Sequence, residues 1–437
     1  MSTLLITNAR VAQVDGSTIE ADLLVKDGLI ERIESSIAAG ADLTIDAAGK
    51  LVMPGVIDPQ VHFREPGNEH KEDLGTGSRA AVRGGVTSFL EMPNTNPPTT
   101  DQAALDRKLK LAAEKSVANY GFFIGATPDN LKDINSVNPV CGIKIFMGAS
   151  TGTLLVNDPR DLDRIFGNGD RLIAVHAEDE ARINERKKQF AGRTDYAVHS
   201  EIRDNQCAVL ATELALELSN KYQRRLHILH LSTGDEVEIL RRNKPAWVTA
   251  EVIPNHLFLN VSDYERLGSL VQMNPPIRSK HDNETLWSGL HDGTIDIIAT
   301  DHAPHTLEEK NKPYPNSPSG MPGVETSLPL MLTSMKAGDC TLAEIQKWMC
   351  YGPAECYGIP NKGKLLEGWD ADITIVDLEN AHPVKNEEVF SKVGWSPYAG
   401  RELYWPTHTI VNGKLVFENG EICEGIVGKA LTFKPPR

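Results

Sequence analysis

The feature that most constrains this chain is an alternation of short apolar segments with amphipathic ones through its middle. Strand candidates fall at residues 87–91, 120–124, 142–146, 172–176, 226–231, 248–252 and 295–299, preceded by one apolar run at 51–57. Helical patterns lie between several of them, including 103–116, 204–221 and 234–243. Strand–helix repetition over about 300 residues predicts an α/β fold, a (β/α)8 barrel of the TIM type. A doubly wound open sheet is the alternative. It is disfavoured because no Gly-x-Gly-x-x-Gly follows the first strand and no Walker-type loop is present.

The two ends differ from the middle and resemble each other. Near the start, Leu4-Leu5-Ile6 is a short apolar strand, and Asp27-Gly28 separates two apolar segments, a hairpin signal. Near the end, Asn412-Gly413 and Asn419-Gly420 punctuate short β segments. Both termini are therefore expected to build one small β-sandwich. The expected division is a discontinuous β domain, residues 1–54 and 365–437, around a barrel at 55–364.

Charge and cysteine usage narrow the partners. The formal net charge is -15 over 437 residues. A nucleic-acid or anionic-membrane partner is excluded on that ground, since no basic stripe is available to displace counterions. No stretch approaches the ~20 apolar residues of a membrane helix. The N-terminal segment lacks the basic and apolar regions of a signal peptide. The six cysteines are scattered, without a Cys-x-x-Cys pair. They read as reduced thiols, and the expected location is cytoplasmic.

Polar residues gather at the C-terminal ends of the predicted strands. His62 follows the first, Asn94 the second, and Lys144 lies inside Ile143-Lys144-Ile145-Phe146. His176, His230 and Asp301 end later strands, with Asn274 and His305 nearby. In a barrel these ends form one face, where active sites lie. A single histidine at a strand end is more often a hydrogen-bonded structural residue than a ligand. Lysine inside an apolar run is rarer, because lysine is almost never fully buried unpaired. One chemistry uses the whole set. Carbon dioxide on Lys144 gives a carbamate whose two oxygens can each hold one divalent metal. Imidazoles suit Zn²⁺, and Asp301 can shuttle a proton.

These elements, Asp58 through His62, Lys144, His176, His230 and Asp301, resemble the cyclic amidohydrolases: dihydroorotases, allantoinases and hydantoinases. The resemblance covers nearly the whole chain. "REPG" at 64–67, "MPNT" at 92–95, "NPPIR" at 274–278, "DHAPH" at 301–305 and "GMPGVET" at 320–326 are most similar to dihydroorotases. The resemblance implies a zinc-dependent enzyme with one or two Zn²⁺ per chain, a carboxylated Lys144, and His62, His176, His230 and Asp301 as ligands. It implies that Arg64, Asn94 and His305 bind a substrate carboxylate, and that Asn274, Pro322 and Gly323 face the ring. It also implies a small-molecule substrate and a homodimer; the alternative reading, a non-catalytic relative, implies association with aspartate transcarbamoylase. A guanidinium fork with further donors is what a carboxylate requires. A hydantoin has no such carboxylate. Residues 305–320, polar and proline-rich, read as a loop, either a lid or a plain connection.

The chain departs from the family at Gln60, where a histidine ligand is usual. A glutamine oxygen ligates metal more weakly than imidazole. Three expectations follow: two metals with one held less tightly, a single metal held through Lys144, His176 and His230, or a non-catalytic partner protein.

Overall fold

The computed structural model describes residues 2–149, 154–423, 425 and 428–434. Its centre is a closed ring of parallel strands. Val56–Val61, Val86–Glu91 and Asn119–Phe122 pair in order. Ile124–Gly125, Ile143–Phe146, Ile173–His176, Leu226–Ile228, Val248–Val252 and Ile297–Ile298 continue it, each parallel to the next. The ring closes where Val61 bridges His302 in parallel, with the His62 amide donating to the His302 carbonyl at 2.7 Å. This is the predicted (β/α)8 barrel. The helices Gln102–Lys115, Asn205–Tyr222 and Gly234–Asn243 lie close to the expected bounds. Each starts on an Asp or Thr whose side chain accepts from the first turn's amides.

The apolar run at 51–57, expected as one strand, is two strands in different sheets. Leu51–Pro54 pairs with Ile373–Val376 of the terminal sheet, whereas Val56 starts the barrel. The break is at Gly55. A Cβ there would stand 2.3 Å from Thr87 Cγ2, so only glycine lets the chain pass between the layers.

Both termini meet in one nine-stranded sheet. Strands Thr3–Ala12, Thr18–Lys26, Leu29–Glu34, Leu43–Asp46 and Leu51–Pro54 join Ile373–Pro383, Glu402–Val411, Lys414–Glu418 and Glu421–Ile422. Leu4, Ile6, Val11, Leu23, Ile373, Ile375 and Ile410 make its core. The three hairpin signals fold as their residue types require. Asp27-Gly28, Asn412-Gly413 and Asn419-Gly420 all have positive φ at both positions. Among the described residues, no helix is long and apolar enough to cross a membrane.

Candidate active site

The barrel brings six of the expected site residues to its C-terminal end. The first strand delivers Gln60 and His62, the fourth Lys144, the fifth His176, with His230 and Asp301 just beyond later strands. Asp58 ties the seam. It accepts from the Gln60 amide at 3.2 Å and from Thr300 Oγ1 at 2.6 Å, across the barrel's closing strands. Burial pushes the Asp58 carboxyl up to about 7 against these bonds. Arg64, His230 and Asp301 have φ of 66°, 38° and 49°. Left-handed backbone at non-glycine residues costs about 1–2 kcal/mol each and gathers at functional sites.

Gln60, His62 and Asp301 converge on one oxygen. Gln60 Nε2 donates to Asp301 Oδ1 at 3.2 Å, and His62 Nε2 lies 3.0 Å from the same atom. His62 Nδ1 donates to Asn94 Oδ1 at 2.7 Å. In the neutral imidazole that bond leaves the Nε2 lone pair facing a carboxylate. Burial lowers the His62 pKa, so a proton does not readily fill the gap. A cation between the two would. The Gln60 Oε1 is also buried, and it has no hydrogen-bond partner.

A second pair has the same character. His176 Nε2 donates to Glu178 Oε2 at 2.8 Å, which turns Nδ1 toward His230 Nε2 at 3.0 Å. Burial lowers the pKa of both rings. A carboxylate behind a ring fixes its tautomer, as metal-bound histidines require. Arg203 in turn holds Glu178, with Nε 3.1 Å from Oε1. Burial alone would raise the Glu178 carboxyl. Arg203 and His176 outweigh it and keep the group well below the usual carboxylate range.

Lys144 stands in electrostatic reach of both pairs. Its charge depresses His62, His176 and His230, and Asp301 acts back on it. The side chain is 1 % exposed and, among the described residues, its Nζ has no hydrogen-bond partner. Burial brings its pKa down to about 7. A neutral amine results near physiological pH, which is the form that reacts with carbon dioxide. Among the described residues, no three His, Cys, Asp or Glu side chains are grouped to hold a metal. Each of the two pairs lacks a further ligand, and Lys144 is the group common to both.

A third cluster adjoins the first. Arg64 Nε donates to the Pro304 carbonyl at 3.1 Å and Nη2 lies 3.2 Å from His305 Nε2, although 241 residues separate Arg64 from His305. Among the described residues, Arg64 forms no salt bridge with its sequence neighbours Glu65 and Glu69. Glu65 instead pairs with Lys115 at 2.5 Å. Lys71 Nζ reaches His305 Nδ1 at 3.1 Å, and Trp395 Nε1 donates to the His305 carbonyl at 2.8 Å. Asn274 Oδ1 accepts from His199 Nε2 at 2.8 Å. Pro322 precedes Gly323, whose amide donates to His302 Nδ1 at 3.1 Å. The segment at 305–320 is not wholly loop. It carries a one-turn helix, Leu307–Lys310. The buried Lys310 Nζ donates to the carbonyls of Gln272, Pro318 and Gly320 at 2.9–3.0 Å and pins the segment down.

Sequence reading missed Glu178, Arg203, His199 and Lys71. Glu178 carried a signal, a carboxylate two residues beyond a strand-end histidine. The other three are joined to the site only by the fold. Arg203→Ala is expected to lower the unfolding free energy by ~3–5 kcal/mol, because it strands a buried carboxylate. Urea unfolding measures this. The folded Glu178 pKa is depressed, so its stabilisation is full above the unfolded value, 4.5, and is lost as pH falls below it. The gap between wild type and variant should therefore narrow in acid.

The amidohydrolase family model matches residues 51–153 and 167–416. A dihydroorotase from Methanosarcina acetivorans is 38 % identical over 433 residues, which cover 95 % of this chain and 92 % of the relative. A dihydroorotase from Listeria innocua is 36 % identical over 429 residues, 95 % of this chain and 99 % of the relative. Among solved structures, an L-hydantoinase (dihydropyrimidinase) from Arthrobacter aurescens superposes with a TM-score of 0.94 at 34 % identity, covering 99 % of this chain and 100 % of that one.

Proposed function

This chain belongs to the amidohydrolase family, and from that premise we propose that it is a dihydroorotase, a hydrolase of cyclic amide C–N bonds. The reaction is the reversible cyclisation of N-carbamoyl-L-aspartate to L-dihydroorotate, a step of pyrimidine synthesis. The observation that carries this substrate over a hydantoin is the buried Arg64–His305 pair beside the histidine cluster. It supports recognition of an anionic ring substituent, and its distance from the surface makes the guanidinium fork a strong partner for a carboxylate.

The donor set fits divalent metal, and zinc is the proposed ion. His62 with Asp301 and His176 with His230 would hold it, and a carbamate on Lys144 would give an oxygen to each pair. Gln60, through its unpartnered Oε1, would add a weak ligand to the first pair. When bound, such metal supplies Lewis-acid polarisation of the scissile carbonyl and lowers the pKa of water.

The chain's own residues do the rest. Arg64, Asn94 and His305 fix the α-carboxylate and align the ring amide. Asn274 and the backbone at Pro322 and Gly323 border the ring. Asp301 accepts the proton of the attacking water and delivers it to the ring nitrogen as the C–N bond breaks. In the synthetic direction the ureido nitrogen attacks the side-chain carboxyl carbon, and Asp301 returns the proton to the departing oxygen.

Initial rates on dihydroorotate and on a 5-substituted hydantoin, measured with the zinc-supplemented protein, test the reading. Dihydroorotate should be strongly preferred, and a preference for the hydantoin would overturn it. Gln60→His is expected to raise the zinc retained after dialysis, because imidazole replaces an amide oxygen. Metal analysis of the dialysed variant reads this directly, and unchanged retention would remove Gln60 from the ligand set.

A further inference from the structure

From the N-terminal part of the barrel runs a second constellation that the proposed reaction does not use; it ends at Glu251, which also accepts from the His230 amide. Register places His227 beside Thr249 on adjacent parallel strands, and Glu251 follows on the second. His227 Nε2 donates to Glu251 Oε2 at 2.9 Å. On the other side of the ring, Nδ1 lies 2.7 Å from Thr249 Oγ1 and 3.5 Å from Cys356 Sγ. Cys356 Sγ is 3.2 Å from Thr249 Oγ1. The order is thiol, imidazole, carboxylate, with a hydroxyl bridging the first step. It is the arrangement that activates a cysteine nucleophile, in which one ring nitrogen faces the sulfur and the other is held by an acceptor.

Cys356 is buried, 8 % exposed, and borders a partly open pocket of about 320 Å³. Leu172, Arg225, Trp247 and Asp296, each just before a barrel strand, also line it, which fixes it on the N-terminal face. Its charges are unbalanced. Asp296 is neutralised by Lys244 at 2.8 Å and Glu355 by Lys364 at 3.0 Å. Arg225 and Lys347, also in the lining, form no ion pair among the described residues.

We propose that Cys356, with His227 as base and Glu251 as its anchor, is a thiol modification site for small anionic disulfides. The thiol proton passes to His227, directly or through Thr249. The thiolate attacks one sulfur of the disulfide, the S–S bond breaks, and a mixed disulfide forms on Cys356. The second sulfur leaves as a thiolate and takes the proton back from His227. Arg225 and Lys347 select the anion.

The full-length protein is treated with dithiobis(nitrobenzoate), an anionic disulfide, or dithiodipyridine, a neutral one, and adducts are located by peptide mass. Cys423, half-buried in the terminal sheet domain, is the internal reference. Cys356 should react at least about tenfold faster than Cys423 with the anionic reagent, because an imidazole stands at its sulfur and cations line its pocket. Lys347→Gln, at an exposed position, should slow the anionic reagent at Cys356 and leave the neutral one unchanged. His227→Asn should slow both reagents at Cys356 by about tenfold, while Cys423 keeps its rate and Cys207, Cys340 and Cys350, buried like Cys356 but with no imidazole at the sulfur, stay unreactive, which reports an intact fold. Reaction at Cys356 no faster than at Cys423, or equal sensitivity of both reagents to Lys347→Gln, would overturn the proposal.

Discussion

Lys144→Ala is expected to lose bound metal and to reduce turnover at least about a thousandfold. Lewis-acid activation is worth several kcal/mol, and each ~1.4 kcal/mol is about tenfold in rate. The physical ground is the isolation of the amine. Among the described residues its buried Nζ has no hydrogen-bond partner, and it stands in reach of the His176–His230 and His62–Asp301 contacts. A buried polar group left unpaired is costly. Alanine removes the group that the two proposed ligand pairs share. It should do so without unfolding the barrel, because Lys144 Nζ makes no hydrogen bond among the described residues. Metal content and thermal unfolding of the same sample separate the outcomes. Unchanged zinc in a folded Lys144→Ala protein would rule out a bridging role for this residue.

Arg64→Met is the second large effect. Hydrogen bonds to charged groups are worth about 1.5–3 kcal/mol each, so loss of a two-pronged contact to the substrate carboxylate should cost on the order of 10²–10³ in kcat/KM. Methionine keeps the apolar length of the stem and removes the fork. A neutral hydantoin, lacking the carboxylate, should lose little. Equal losses on both substrates would mean that Arg64 serves the frame of the site through Pro304 and not the ligand.

How much of this was legible in the sequence follows from the range of the forces involved. Barrel strands are buried on both faces and read as continuous apolar runs, so they could be located without knowing their neighbours. Their C-terminal ends then named the site, because in a barrel every strand points the same way. The hairpins at Asp27-Gly28 and Asn412-Gly413 were legible because positive φ restricts residue type locally. Gly55 was not. Periodicity cannot see that an apolar run changes sheet, and only the approach of Thr87 shows why glycine stands there. Arg203 behind Glu178, Lys71 behind His305 and Lys310 under the 305–320 segment were equally hidden. Each is a cation that neutralises or ties down a group far away in sequence, and such partners carry no local pattern.

Gln60 remains the residue on which the chemistry turns. Its amide nitrogen donates to Asp301, and among the described residues its buried oxygen has no hydrogen-bond partner, which is the orientation that the proposed weak ligand needs. The most direct measurement is dihydroorotate hydrolysis by the purified, zinc-supplemented protein, with bound zinc counted on the same sample. Turnover with at least one zinc per chain is the expected result, and the count states whether Gln60 supports a second. A folded, zinc-loaded protein that leaves dihydroorotate untouched would contradict the assignment.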